Sequence, residues 1–142
     1  MEVEYAPHCS YRIRYHMVFV IKYRKSILGE QEILFLKDLL QQIGHRYWFK
    51  FDAIGMEKNH FHVVLGAAPR YAPSRIMQIV KSITAREFFK KYPEVRKQLW
   101  GAELWSDGGH IDTVSEYGGL EKIRKYVQEQ GRDTGQMKLM SF

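Results

Sequence analysis

Only one cysteine, Cys9, occurs in the chain. A lone thiol closes no internal disulfide and builds no multi-cysteine zinc site, which points to a reducing compartment. Prolines number four, and no linker, repeat or low-complexity tract interrupts the sequence, so a single domain over residues 1–142 is expected. Long hydrophobic runs are missing too. The longest, Met17 to Ile21, is far short of the ~18 residues a membrane span needs. Glu2 and Glu4 stand where a secretory leader would be basic, so the expectation is a cytoplasmic protein with no membrane partner.

Acids are absent from Tyr5 to Gly29, where Arg12, Arg14, Lys22, Arg24 and Lys25 give a local charge of +5. From Arg70 to Gln98, eight bases stand against Glu87 and Glu94, a balance of +6, while the whole chain carries only +6. The remainder is therefore slightly acidic. Two basic segments on such a background fit a polyanion such as nucleic acid; solvated helix faces with ordinary lysines fit the same counts. Hydrophobic residues make up 45% of the 142 and aromatics 14%. That is enough for a core that buries roughly two-thirds of the unfolded surface.

Apolar periodicity orders the elements. Ile13, Tyr15, Met17, Phe19 and Ile21 alternate with Arg12, Arg14 and His16, which predicts a strand over Tyr11–Ile21. Ile33, Leu36, Leu40 and Ile43 predict a helix over Glu30–Gly44, with Gly44 as its stop. Trp48–Met56 and His60–Gly66 read as a hairpin turning at Glu57-Lys58-Asn59. Ile76, Ile79, Val80 and Ile83 predict a second helix from Pro73-Ser74, bounded by Pro93. A short strand at His110–Val114 and a final helix at about Leu120–Gln130 follow. The first six elements match the split βαβ, ferredoxin-like order. The expected fold is α+β: an antiparallel sheet, two helices on one face, and the last helix as an appendage.

Two short patterns carry chemistry. His60-Phe61-His62 lies in a strand, where residues two apart share a face at roughly 7 Å. Phe61, Val63 and Leu65 go inward, so the two imidazoles face outward and could converge on one metal ion; an ordinary exposed pair fits the triplet equally well. Tyr126 and Gln130 stand four apart on the last helix, hence on one face, flanking the buried stripe of Leu120, Ile123 and Val127. Lys122, a turn earlier on that face, is expected to lower the Tyr126 pKa by favouring phenolate. A tyrosine half-buried on an amphipathic helix is the plain alternative.

Together these residues resemble the single-tyrosine HUH transposases of the smallest bacterial and archaeal insertion sequences. The histidine pair with its bulky centre is His60-Phe61-His62, and the tyrosine and glutamine four apart are Tyr126 and Gln130. Lys22-Tyr23-Arg24-Lys25, Leu104-Trp105-Ser106 and the joint Gly118-Gly119 fall in the family's order. The likeness runs from about Tyr11 to Gln130. Two positions depart from the family's pattern: Asn59 replaces an acid before the first histidine, and Asp107-Gly108-Gly109-His110 replaces aromatics.

The resemblance implies a DNA transposase that cuts and rejoins single-stranded DNA at hairpin-bearing element ends through a 5′-phosphotyrosine on Tyr126. It implies one Mg2+ or Mn2+ ion held by His60, His62 and Gln130. It also implies a homodimer whose active sites are shared, the Tyr126 of one chain serving the histidines of the other. Lys22, Arg24, Lys81 and Arg86 are the expected DNA contacts, with Tyr23 and Trp105 stacking unpaired bases. The chain contains no P-loop pattern, in keeping with a reaction that spends no nucleotide. Two other readings share the fold order. One is a domesticated nuclease acting at chromosomal repeats by the same chemistry. The other is a non-catalytic RNA- or single-strand-binding module, in which the histidines are incidental.

Overall fold

The computed structural model describes residues 2–99, 101, 103–115 and 119–129. Strands β1 (Glu4–Ala6) and β2 (Cys9–Tyr11) form a small antiparallel hairpin. β3 (Tyr15–Val20), α1 (Glu30–Tyr47), β4 (Lys50–Met56), β5 (His60–Gly66), α2 (Pro73–Lys91), α3 (Pro93–Gln98), β6 (His110–Thr113) and α4 (Leu120–Glu129) follow. The four later strands make one antiparallel sheet in the order β4-β5-β3-β6. With α1 and α2 as crossovers, this is the ferredoxin-like α+β fold expected from the element order.

The sheet's two faces are set by alternation. Met17, Phe19 and Ile21 of the β3 segment and Phe61, Val63 and Leu65 of β5 pack against Leu36, Leu40 and Ile43 of α1 and Ile76, Val80 and Phe88 of α2. Phe19 and Phe61 stack at 4.4 Å, and Trp105 stands edge-on to Phe61 at 5.1 Å. Trp105 is therefore core, not a base-stacking surface: it is 5% exposed. Its indole N–H donates to Thr84 Oγ1 at 2.8 Å, an apolar body with its polar tip satisfied.

Several boundaries differ from the sequence reading. The long first strand is two pieces, because Arg12–Arg14 leave the ladder and the chain before them folds back as β1–β2. Helix α1 runs through Gly44 to Tyr47 and ends at Trp48, which takes the left-handed conformation at φ 61°. Gly44 is needed for close approach rather than as a stop, since a Cβ there would lie 2.8 Å from the Phe49 carbonyl oxygen. Pro93 ends α2 and also opens α3, as proline does at a first helical position.

The largest correction concerns the last helix. It is not an appendage: α4 covers the sheet's second face, where Leu120 and Val127 pack with Ala53, Val64 and Val114. A bulge in β4 prepares that dock. Phe51 pairs with Leu65 and Ala53 with Val64, so Asp52 is an extra residue in the strand. Its carboxylate, 7% exposed, accepts from Arg14 Nε at 2.8 Å and from Arg124 Nη2 of α4 at 2.7 Å. Glu4 Oε2 takes a second arm of Arg14 at 3.1 Å. Burial alone would push the Asp52 carboxyl up, but hydrogen bonds from the two arginines, reinforced by their charges, hold it below the usual carboxylate range.

Removing Asp52 leaves Arg14, 3% exposed, short of its main partner. Asp52→Ala is expected to cost on the order of 3 kcal/mol in urea denaturation. Because the folded carboxyl titrates below the unfolded one, its contribution is complete above about pH 4 and is lost as pH falls through its folded value. Acid melts of the wild type and Asp52→Ala should therefore converge at the lowest pH.

Candidate active site

His16 of β3, His60 and His62 of β5, and Tyr126 of α4 converge on the sheet's second face. The register places Val18 opposite His62 and His16 opposite Val64, so His16 and His62 are diagonal neighbours on one face. Their rings lie 5.2 Å apart in nearly parallel planes, with His16 Nε2 and His62 Nδ1 in hydrogen-bond contact at 3.0 Å. The His60 and His62 rings are 5.1 Å apart. Tyr126 stands perpendicular to His62 with ring centroids 5.4 Å apart, and edge-on to His16 at 6.4 Å. His110 on β6 closes the side of His16, at 6.2 Å, and pairs with Asp112.

The histidines face away from α1 and α2, as alternation predicts, but they are not exposed: His60 is 5% exposed and His62 and His16 are at 0%. The reading of an outward-facing, exposed pair is corrected by α4, which lies over the face they share. Burial makes them reluctant to charge. Burial, then the charge of Arg24, pushes His60 down to about 4. Burial, then the neighbouring His60, His16 and His110, pushes His62 down to about 3. Burial also lowers His16, against the pull of Asp112. All three are thus neutral near pH 7, the form in which imidazole binds a metal.

The donor atoms fit such an ion as far as they are described. His60 Nδ1 donates to Asn59 Oδ1 at 2.7 Å, which leaves Nε2 with a free lone pair. His60 Nε2 and His62 Nε2 are both buried without a partner. Asn59 thus supplies the acceptor expected of an acid at that position. Gln130 lies outside the described residues. Among the described residues, no three His, Cys, Asp or Glu converge as a ligand set, so two imidazoles are the described contribution.

Tyr126 departs from expectation in its electrostatics. Burial, then the charge of Glu57, raises its pKa above the ordinary phenol value. Lys122 is exposed and does not reverse this, so the resting phenol keeps its proton.

The basic candidates are not gathered in one place. Arg24 is exposed, at φ 52° in the turn after β3, and its charge reaches His60. Tyr23 beside it is 55% exposed at φ 61°. Lys22 pairs with Glu103. Arg86 is exposed on α2, in the helix layer on the far side of the sheet, 3.5 Å from Glu87. Lys81 is not a free surface base: its ammonium donates to the carbonyls of Ser106 at 3.0 Å and Gly108 at 3.1 Å. It thereby holds the loop that leads into β6. Sequence reading did not single out His16, Asp52 or Glu57. The one signal for His16 was its place on the polar face of the first strand.

The chain is similar over most of its length to known proteins. The family described as "Transposase IS200 like" matches residues 9–130. The ISDra2 transposase TnpA of Deinococcus radiodurans is 32% identical over 120 residues, 84% of this chain and 85% of its own length. The transposase for insertion sequence element IS200 of Salmonella typhimurium is 22% identical over 87% of this chain and 80% of its own. A crystal structure of a protein assigned as a transposase, also from Deinococcus radiodurans, superposes with TM-score 0.72 at 27% identity, covering 89% of this chain and 97% of that one. The REP-associated tyrosine transposase, solved bound to a REP hairpin, has the same fold with TM-score 0.63 at 12% identity, over 88% of this chain and 70% of that one.

Burial of neutral histidines sets a stability profile. In the unfolded chain they bind protons below the ordinary value of 6.5, whereas the folded His60 and His62 wait until about 4 and about 3. The unfolded state therefore binds more protons in that window, and stability falls as pH drops through it. Denaturant melts in EDTA should be flat above about pH 7 and decline below it, and His62→Ala should flatten the decline. The match over residues 9–130 and the ISDra2 relative show that the chain belongs to the IS200-like transposase family.

Proposed function

We propose that the chain, acting as a single domain, cleaves and rejoins single-stranded DNA at the ends of an insertion sequence, with Tyr126 as the nucleophile. The observation that carries this reading is the Tyr126 ring standing 5.4 Å from His62, beside the two unpaired Nε2 atoms. Tyr126 Oη forms a bond to the scissile phosphorus as the bond to the 3′-oxygen breaks. The phenol gives up its proton, and the 3′-oxygen leaves as a hydroxyl. A 5′-phosphotyrosine then keeps the phosphodiester energy, and attack by another 3′-hydroxyl restores both the DNA bond and the phenol.

His60, His62 and Gln130 would hold one Mg2+ or Mn2+ ion. When bound, the ion supplies a Lewis acid that polarises the phosphate and steadies the leaving oxygen. The chain's own groups do the rest. α4 orients the phenol over His62, and burial together with Glu57 keeps it protonated until substrate arrives. Arg24 and Lys22 would neutralise phosphates, and the exposed Tyr23 ring would stack a base. Arg86 would serve DNA bound along the helix layer, and Lys81 would act by shaping the loop before β6. A hairpin as the recognised form is supported by the REP-associated relative, which was solved on one.

A homodimer with shared sites belongs to the same proposal. α4 follows Gly119, at φ +87°, a conformation that favours glycine. Exchange of α4 between two copies would remake in trans every contact it makes in cis. Among the described residues no helix is long and apolar enough to cross a membrane.

Tyr126→Phe should fold and bind a labelled single-stranded element end, yet form no SDS-resistant adduct in Mg2+. An adduct in that variant would move the nucleophile elsewhere. EDTA should stop cleavage and leave most DNA affinity, and that affinity should fall with salt at about −0.7 per phosphate contacted. Mixing Tyr126→Phe with a His60→Ala, His62→Ala chain should restore cleavage if sites are shared. It should restore none if each chain builds its own.

A further inference from the structure

We propose that His16 is a positioning residue for His62: its Nε2 accepts the His62 Nδ1 proton and so presents His62 Nε2 as a lone pair toward the ion. This rests on the metal reading given above and adds a residue to it. The observation is the pair of atoms at 3.0 Å, His16 Nε2 and His62 Nδ1, both on buried rings. A neutral imidazole has one N–H and one lone pair, so this contact has two arrangements. If His62 Nδ1 donates, His62 Nε2 is a ligand and His16 carries its own proton on Nδ1. If His16 Nε2 donates, His62 carries its proton on Nε2 and cannot ligate.

The two candidate ligands are therefore held by different means. His60 has an amide oxygen as acceptor, Asn59 Oδ1, from the adjacent residue. His62 has an imidazole from another strand, and that imidazole can accept or donate. Neither arrangement satisfies every atom of the pair: His16 Nδ1 and His62 Nε2 are the unpartnered buried nitrogens. A ligand for His62 Nε2 breaks the tie. It draws the His62 proton to Nδ1 and, through the hydrogen bond, the His16 proton to its own Nδ1. Asp112 stands directly opposite His16 in the β3–β6 ladder, with its carboxylate bonded to His110; Val64 stands opposite in the β3–β5 ladder, the His110 ring is 6.2 Å away, and Tyr126 is 6.4 Å away on α4.

Mn2+ affinity, read by EPR titration on the full chain, tests this with two substitutions. His16→Phe keeps a ring in the gap and removes the acceptor, and should weaken Mn2+ binding by about 10- to 100-fold. His16→Gln restores an acceptor oxygen and should bind Mn2+ close to the unsubstituted chain. A spectroscopic readout needs no substitution. In the unsubstituted protein with [15N]histidine and saturating Mg2+, long-range 1H–15N spectra should find both His62 and His16 protonated at Nδ1. Finding either protonated at Nε2 overturns the proposal, even if His16→Phe fails to fold. Folded His16→Phe that binds Mn2+ normally overturns it as well, as does His16→Gln binding no better than His16→Phe. If the unsubstituted chain binds no Mn2+, or binds it undiminished after His60→Ala, the metal reading itself falls. That result is distinct from normal binding lost only at His60.

Discussion

The docking of α4 through one carboxylate is the contact on which the site depends. Asp52 accepts from Arg14 at the base of the sheet and from Arg124 on the helix. Without it, α4 would rest mainly on its apolar contacts, Leu120 and Val127 with Ile123 and Tyr126 beside them. Helices of that length are marginal by themselves. The same dock excludes water from His60, His62 and His16 and sets Tyr126 over them. One ionic bridge thus converts a polar sheet face into a dry cluster of neutral imidazoles.

That dryness has a chemical meaning. Exposed histidines near pH 7 would be partly protonated, and each proton would have to leave before an ion could bind. Here the folded chain has removed those protons beforehand, at the expense of acid stability. The same burial acts on Tyr126, the proposed nucleophile. Burial and Glu57 disfavour phenolate at Tyr126, so the proposed nucleophile rests protonated while the proposed ligands rest as neutral bases. One buried environment thus favours the neutral form of each group, which suits imidazoles proposed to ligate and leaves the phenol to lose its proton during the reaction.

Alternation was enough to assign His60, His62 and His16 to one face and Phe61, Val63 and Leu65 to the other, because a strand offers only two faces. Helical spacing likewise found α1, α2 and α4. What alternation could not show is which face a later helix covers, and so His60 and His62 read as exposed. The pairing of His16 with His62 was illegible for a related reason: it needs the strand order, in which β3 lies beside β5 despite the 39 residues from Ile21 to Asn59 passing between them. The extra residue at Asp52 breaks the period and leaves no mark on a polar position. Trp105 was misread because an indole in a basic protein looks like a stacking platform, whereas its partner Thr84 sits on another element.

The irregularity in β4 also bears on how two such chains can meet. β4 and β6 are the outer strands of the sheet, and an outer strand with a continuous row of free amides invites a neighbour to extend it. At β4 the row is broken by the extra residue, and β6 offers only four residues. Neither margin supplies a flat template for end-to-end growth. Strand addition between copies, the route to fibre-like growth, is thereby disfavoured.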